Sequence, residues 1–511
     1  MGDAYGALGK RGDAMFVLDE LIQRAAPALR ALMARAGWVP QHTLTGRRPS
    51  YSEPRASALR EVASLAWPIA VAMLGETVMG LVDTRLVGAL GSAAIGGVGV
   101  ATVLMYLCYS VVFGLMRGVK VRSAWAHGEG RGPDALRYAE AGALVGAAAG
   151  VAVCLGCRDA TWALEALGVD RSLVAPARDF LAARTLGAPA TCALAALQQW
   201  RQGVGDTRTA MRVGVAGNVL NASLAYALIH GSLGLPRLGV TGAGVATAVT
   251  EALQCAALVA LYVGERRAQA VRATLRLRDA LREVCRIGVP TGLQFGAEVL
   301  AFTAFTAVLG GLGADEIAAH QVSLATIRAS FLPGVAVSEA ASVLVGRALG
   351  EGRLRHADRV VVAALTLAGA FMAACGVVFA VAGGALARVF TDDPAVVAIV
   401  RQLLLVAAVF QALDAVNIVL RGALRGAGDV RVVGVLGVAI VWLCIPGAAW
   451  LFCRQMGLGA VGGWYGFVAE TALASLVFGW RWRYGAWRAT FERATACEGA
   501  ASRAKFAVRA A

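Results

Sequence analysis

The chain has almost no lysine. Of its 48 basic residues only Lys10, Lys120 and Lys505 are lysines, and the rest are arginine. A GC-rich genome accounts for that bias, so it identifies no ligand. Charge of either sign is scarce: 16% of the 511 residues are charged and 58% are hydrophobic, with a mean hydropathy of +0.64. Those values lie well outside the soluble norm. They argue against a string of soluble domains and for one membrane-embedded unit. No GxxxxGK[ST] loop is present to cradle a nucleotide phosphate, which excludes ATP-driven transport by this chain. Histidine is limited to His42, His127, His230, His320 and His356, and only His320 falls within an apolar run. That is too little for a His/acid catalytic constellation, so an intramembrane enzyme is not expected. The ten cysteines are scattered; Cys154 and Cys157 form a CxxC, but no second pair or histidine cluster completes a metal site. They read as small apolar packing residues. The net charge of +15 lacks the basic–aromatic interleaving of a nucleic-acid surface, so no nucleic-acid partner is expected. Instead the arginines gather at the ends of apolar runs, as in a protein orienting itself in a bilayer.

What the sequence does contain is a duplication. The stretch beginning at Pro68 recurs at Pro290, an offset of 222 (290 − 68 = 222). In the same register Glu76 pairs with Glu298, Gly88, Leu90 and Gly91 with Gly310, Leu312 and Gly313, and the GEGR run at 128–131 with that at 350–353. Both copies lie in long apolar runs and place a carboxylate eight residues after a proline. A two-copy membrane protein with intramembrane acids suggests a transporter, with its site where the halves meet.

A hydrocarbon core about 30 Å thick needs about 20 apolar residues per helix. Twelve runs qualify: 62–88, 94–119, 136–157, 178–199, 209–231, 240–263, 284–311, 316–345, 358–384, 396–420, 430–453 and 459–480. The copies begin at the first and seventh runs, six spans apart, so both point the same way across the membrane. The expected fold is all-α and integral to the membrane: twelve transmembrane helices in two parallel six-helix lobes, related by a pseudo-twofold axis along the membrane normal. One set of connections carries Arg131 and Arg137; Arg201, Arg208 and Arg212; Arg266, Arg267, Arg272, Arg276, Arg278 and Arg282; Arg353, Arg355 and Arg359; and Arg425 and Arg431. The alternate set is poorer, with Arg158, Arg171, Arg237, Arg388 and Arg454 as its main exceptions. By the positive-inside rule the basic side is cytoplasmic, with both termini inside.

The remaining boundaries follow. Residues 1–60 form a cytoplasmic extension in which Phe16, Leu18, Leu21, Ile22, Ala25, Leu29, Leu32 and Met33 recur at helical spacing. This reads as an amphipathic helix on the inner leaflet, or as a mis-assigned start with Met33 as the true one. The first lobe covers 61–263 and a basic cytoplasmic linker 264–283. The second lobe covers 284–482, and 483–511 is a cytoplasmic tail.

A charge inside a bilayer costs about 2.5–3.5 kcal/mol on insertion scales, so each one needs a reason. The candidates are Glu76, Asp83 and Arg85 in the first span, Arg117 in the second and Glu298 in the seventh. Arg328 and Glu339 in the eighth, Asp414 in the tenth and Glu251 in the sixth complete the set. Glu76 and Asp83 are two helical turns apart and share a face. Arg85 lies on another face, either snorkelling outward or functional. Asp414 has no cation nearby in sequence. Either local amides satisfy it as a packing residue, or it holds a proton or sodium ion, alone or with Glu298. Arg117 and Glu339 occupy equivalent positions (339 − 117 = 222), and such positions face each other near a twofold axis. They form an ion pair closing the cytoplasmic end of the lobe interface, or two separately solvated charges.

At these residues the chain resembles the MATE (multidrug and toxic compound extrusion) family, and within it the NorM-like branch. The matching stretches are LVDTRLVGALG at 81–91, GNVLNASLAYALIHGSLGLPRLGVTGAGVATA at 217–248 and GLGADEIAAHQVSL at 311–324. They continue with VGRALGEGR at 345–353, FQALDAVNIVLRGALRGAGD at 410–429 and GLGAVGGWYG at 457–466. The resemblance covers about residues 60–480. It implies two six-helix lobes in a V, a cavity opening alternately to each side, and export of organic cations and other amphipathic compounds in exchange for sodium or protons. It also implies cation coupling at Asp83, Glu298 and Asp414, with sodium held by Glu298 and Asp414. Asn218 matches a polar position lining the first lobe. Glu76, Phe410, Gln411, Asn417, His320 and Gln321 are assigned to the substrate cavity. Phe410 stands where relatives often carry a tyrosine hydroxyl. The segment GLMRGVKVRSAW at 114–125 departs from the small neutral residues usual there. Either Arg117, Lys120 and Arg122 favour an anionic or zwitterionic substrate, or Lys120 and Arg122 are ordinary charges at a cytoplasmic helix end.

The expectation is thus a secondary antiporter of the bacterial inner membrane, multi-pass, N-in and C-in, exporting amphipathic, cationic compounds by alternating access. It needs no cofactor beyond its coupling ion, has a small molecule and the lipid bilayer as partners, and is expected to be a monomer. The competing reading is a flippase or exporter of anionic or lipid-linked substrates.

Overall fold

The structure, a computed structural model, describes residues 55–492 apart from 159–161, 163, 165–168, 233, 270–272 and 490. The amphipathic segment before residue 55 and the tail beyond 492 lie outside the described residues. Among those described, the chain is helical and contains no β-strand. Twelve segments are long and apolar enough to cross a bilayer.

In chain order the first lobe comprises α1 (Arg55–Gly88), α2 (Ser92–Gly128), α3 (Gly132–Cys157), α4 (Arg171–Arg184), α5 (Ala188–Gly203), α6 (Thr207–His230) and α7 (Val240–Ala268). The second lobe comprises α8 (Leu277–Gly310), α9 (Ala314–Gly350), α10 (Leu354–Arg388), α11 (Pro394–Gly426), α12 (Val430–Ala448) and α13 (Gly459–Tyr484). The duplication is kept in the helix ends: adding 222 to the end of α1 (88) gives that of α8 (310), and adding it to the bounds of α2 (92 and 128) gives those of α9 (314 and 350). The turn after each long helix is also copied: Gly130 and Gly352 adopt φ of 75° and 74°, a left-handed conformation that a side chain disfavours. Pro68 and Pro290 sit at matching points within α1 and α8.

Two departures break the uniform pattern of twelve plain spans. The fourth span is longer than 178–199 and is not one helix. Asp170 caps α4 through Ser172 N, and a 3-10 turn at Thr185–Gly187 joins α4 to α5. The eleventh span ends in a π-helical turn, Ala449–Gln455, three residues after Pro446, which lacks a backbone N–H. The basic linker is also shorter than its charge pattern implies, since α7 runs to Ala268 and α8 starts at Leu277. Asp134 at the head of α3 fastens it, accepting from Thr274 N at 2.9 Å and Leu275 N at 3.0 Å.

The lobes exchange helix ends. Ala58, Val62 and Ala66 at the start of α1 pack into the second lobe's core with Leu344, Leu349 and Val360. Their equivalents Ala280 and Val284 at the start of α8 pack into the first lobe's core. Past this level each helix returns to its own lobe: Val87 of α1 joins the first core, and Phe305 and Leu309 of α8 join the second.

A seam of small residues permits the exchange. A Cβ on Gly114 would lie 2.7 Å from Gly292 Cα, and one on Gly118 would lie 2.5 Å from Val284 O. At the far end of α2 and α9, a Cβ on Gly128 would lie 2.2 Å from Arg347 O and one on Gly350 2.4 Å from Trp125 O. These last two contacts are images of each other (128 + 222 = 350; 125 + 222 = 347), so the pseudo-twofold axis runs between α2 and α9 there. Trp125 Nε1 closes the seam by donating to Gly426 O at 2.8 Å.

A methyl group at Gly128 meets backbone that cannot yield locally. Gly128→Ala is expected to destabilise the purified protein by about 1–3 kcal/mol. Gly99→Ala, on the same helix with nothing within 4 Å of its Cβ, should unfold at or above the parental temperature. Equal losses in the two variants would contradict the seam as drawn.

Candidate functional site

The second lobe gathers three carboxylates around one guanidinium, and the first gathers two, with a third acid, Glu76, beside Glu251. In the first lobe, Asp83 of α1 accepts from Asn221 Nδ2 of α6 at 3.2 and 3.3 Å. Arg184, at the junction of α4 with the 3-10 turn, donates to Glu251 Oε1 of α7 at 2.9 Å and to Thr191 Oγ1 at 3.3 Å. The Thr191 hydroxyl donates to the other Glu251 oxygen. The Arg184 guanidinium also lies over the Tyr109 ring, 5.6 Å from its centroid. Asp83 falls within the field of both Arg184 and Glu251, and Glu76 within that of Glu251. Glu76 is exposed on α1. Asn218 approaches the neighbouring turn, its Nδ2 being 3.0 Å from where a Cβ on Gly75 would sit.

The second lobe repeats the theme with different geometry. Glu298 of α8 accepts from Gln294 Nε2 at 2.9 Å and forms an ion pair with Arg421 of α11. Asn417 bridges the other two acids, its Nδ2 lying 3.4 Å from Asp414 Oδ1 and 3.3 Å from Glu470 Oε1 of α13. Asp414, Asn417, Arg421 and Glu470 are all buried. The Asn417 Oδ1 atom is buried without a hydrogen-bond partner. Gly437 of α12 leaves the space: a Cβ there would stand 3.1 Å from Arg421, 3.2 Å from Gln294 and 3.5 Å from Glu298.

Asp414 therefore does have a cation near it, one the local sequence did not reveal. Arg421 lies two turns further along the same helix and within its field. The group that Glu298 contacts directly is Arg421. Arg184, Thr191, Asn221, Arg421 and Glu470 were absent from the sequence-derived set. The rule that singled out Asp414 could have found Glu470, which is an acid inside an apolar run.

The cavity candidates divide. His320 is fully buried in an aromatic cluster, its Nδ1 accepting from Trp464 Nε1 at 3.2 Å. Its own hydrogen then sits on Nε2, 3.4 Å from Thr306 Oγ1. Phe410 packs in the same cluster, 5.7 Å from Phe467 between centroids. Gln411 is buried and donates to Ser330 Oγ. Gln321 is exposed, as are Arg85 and Arg328.

At the seam, Arg117 Nη2 lies 3.1 Å from Glu339 Oε1, and Lys120 Nζ contacts the other Glu339 oxygen. Lys120 is 2% exposed, so the reading of it as a solvated helix-end charge is corrected: α2 carries it into the lobe interface instead of water. Arg122 is likewise paired, with Glu283 and with Tyr138 Oη at 3.1 Å.

A protein-family model described as MatE matches residues 68–227 and, a second time, 290–450. The matches begin 222 residues apart, at Pro68 and Pro290, and together span more than half of the chain. The chain belongs to the MATE family. A probable multidrug resistance protein NorM of Burkholderia mallei is 33% identical over 435 residues, covering 82% of this chain and 92% of the relative. The NorM protein of Deinococcus radiodurans is 32% identical over 440 residues, covering 83% and 95%. In fold the chain is similar to the crystal structure of the eukaryotic MATE transporter AtDTX14, with a TM-score of 0.77, 19% identity and coverage of 86% and 98%. A MOP superfamily transporter from Pyrococcus furiosus, reported with a binding pocket of reversed polarity, gives 0.76, 20%, 87% and 100%. This MATE chain is accordingly a multi-pass transporter and not an enzyme.

Removing Arg421 leaves Glu298, Asp414 and Glu470 without their guanidinium. Arg421→Met is expected to lower stability by about 3–5 kcal/mol, read as a fall in unfolding temperature. Adding Glu298→Gln should restore most of it. Failure of the double variant to recover would contradict the pairing.

Proposed function

We propose that the protein is a cation-coupled antiporter that exports amphipathic, cationic organic compounds by alternating access. The carrying observation is the surplus of acid. Arg421 stands against Glu298, Asp414 and Glu470, and Arg184 against Asp83 and Glu251. With every acid ionised the second set is two charges negative and the first one charge negative, which burial in low dielectric makes costly unless cations or protons enter.

In the second lobe the coupling cation, sodium or a proton, goes to Asp414 with Asn417 Oδ1 and Glu470 beside it, and Glu298 responds through Arg421. Carboxylate and amide oxygens suit a hard cation. In the first lobe Asp83 shares a face of α1 with the exposed Glu76, whose neighbouring turn Asn218 approaches, which makes that lobe's wall the place for a cationic substrate. A cation bound more tightly in one arrangement of the lobes shifts the population toward it, and substrate leaves as the cation enters.

The same reading puts the basic loops and both termini in the cytoplasm of a bacterial inner membrane, following the positive-inside rule. The seam is then the cytoplasmic gate, held by Arg117, Lys120 and Glu339, and the arrangement described is open outward. NorM relatives of 32–33% identity, named for multidrug resistance, support the substrate class. An anionic or lipid-linked organic substrate would rest on Arg117 and Lys120, and the cavity they line is too small for one.

Efflux of a fluorescent organic cation from reconstituted vesicles tests this, with sodium and pH gradients imposed separately. Transport driven by one gradient and lowered at least about tenfold by Asp414→Asn is expected. Loss confined to Asp83→Asn would move coupling to the first lobe. No efflux under either gradient, from folded protein, would overturn the proposal in favour of the anionic reading.

A further inference from the structure

The segment 114–125 is unlike the rest of the chain in placing Arg117, Lys120 and Arg122 within six residues. Arg122 is accounted for by Glu283. The other two enter a small cavity in the seam that is also lined by Thr291, Glu339, Ser342 and Arg425. Three cations thus face one carboxylate. Glu339 contacts Arg117 and Lys120 and is the only acid among the described residues within 4.0 Å of either. Arg425 has no carboxylate within that distance among the described residues, and its Nε is buried without a hydrogen-bond partner. Its basic character reads in sequence as a loop charge, yet the last turn of α11 directs it into the interface.

The local sum is +2 (three cations, one acid). Arg117, Lys120 and Arg425 act on one another, and Arg421 adds to the field at Arg117 and Arg425. Glu298 offsets part of it but is itself ion-paired with Arg421. Like charges drawn together away from bulk water repel one another more strongly than they would in solvent. The hydroxyl of Thr291 gives its proton to Ile287 O and, being neutral, cancels none of the local positive charge.

We propose that the seam holds a small inorganic anion, of which chloride is the common case, bound between Arg117, Lys120 and Arg425. The cavity has room for about one water-sized particle, which admits nothing larger than a small monatomic anion and excludes an organic substrate or a lipid headgroup. Lys120 and Arg117 come from the first lobe, while Arg425 and Ser342 come from the second. The site is complete only when the lobes meet here, so the anion binds this arrangement and not the opened one, and favours it by that difference. The anion also offsets charge when the second lobe's acids take up their cation, because those acids then compensate the seam less.

The test needs no transport assay, so its failure is separate from failure of the antiport reading. The purified protein is moved stepwise from sodium gluconate to sodium chloride at constant sodium and ionic strength, and its unfolding temperature is followed. A saturable rise is expected, following mass action and reproduced by bromide. Arg425→Met should abolish the rise. Glu339→Gln should shift its midpoint to lower chloride by about tenfold or more, since the competing carboxylate is gone. Should Arg425→Met fail to fold, retention of radioactive chloride by the parent in equilibrium dialysis decides the matter. Identical unfolding in gluconate and chloride with no retained chloride would overturn the proposal. So would an undiminished rise in Arg425→Met, or acetate acting more strongly than chloride.

Discussion

The structure is organised by carboxylates that outnumber their cationic partners in a medium that cannot solvate the difference. The lobes bury or half-bury their acids around one arginine each: Asp83 and Glu251 with Arg184, and Glu298, Asp414 and Glu470 with Arg421. A lobe neutral on its own would have no reason to bind a cation or to respond to its loss. These lobes do. The surplus makes each one sensitive to the occupancy of its acids, and the amide groups of Asn221 and Asn417 hold the carboxylates in place meanwhile.

The halves are duplicated but not identical, and the difference matters for function. Glu76 and Glu298 are equivalent, whereas the arginines are not. Arg184 sits at the kink between α4 and α5, and Arg421 five residues before the end of α11. One charge centre is thus away from the seam and the other close to it. The backbone between them is more strictly symmetric: α1 and α8 end at equivalent residues, α2 matches α9 residue for residue, and Gly128 and Gly350 make mirrored contacts across the axis. Small residues there let whole helices approach, which is how transmembrane interfaces gain packing energy without a hydrophobic drive. A seam of backbone contacts can open and close as a unit, because little side-chain interlocking has to be undone.

Much of this was legible in the sequence. The twelve spans, the parallel repeats and the equivalence of Arg117 with Glu339 follow from hydropathy and an offset of 222. Hydropathy marks the apolar middle of a helix, not its ends, so 62–88 became Arg55–Gly88 and 316–345 became Ala314–Gly350. It is also blind to hydrogen-bond pattern, which is why the 3-10 turn before α5 and the π turn after α12 were not foreseen. The coupling residues were read from acids alone, with amides and aromatics assigned to the cavity. Arg184 and Arg421 were passed over, and Arg425 and Lys120 read as cytoplasmic charges by the positive-inside rule. That rule counts residues near span ends without saying which way a long side chain turns. In this chain Lys120 and Arg425 turn into the interface, where a neighbouring lobe takes the place of water. A second helix is needed to see that.

The central claim is that two rigid lobes rock about the seam and that the acids' occupancy sets their position. The most direct measurement is the distance between spin labels, introduced through unnatural amino acids, at Leu90 and Leu312. These equivalent positions lie on the connections at the end remote from the seam. The account predicts two distance populations. The longer one, with the seam closed, should grow as sodium or acid is raised, and it should stop responding in Asp414→Asn. A single distance, unchanged by sodium, pH or Asp414→Asn, would contradict it.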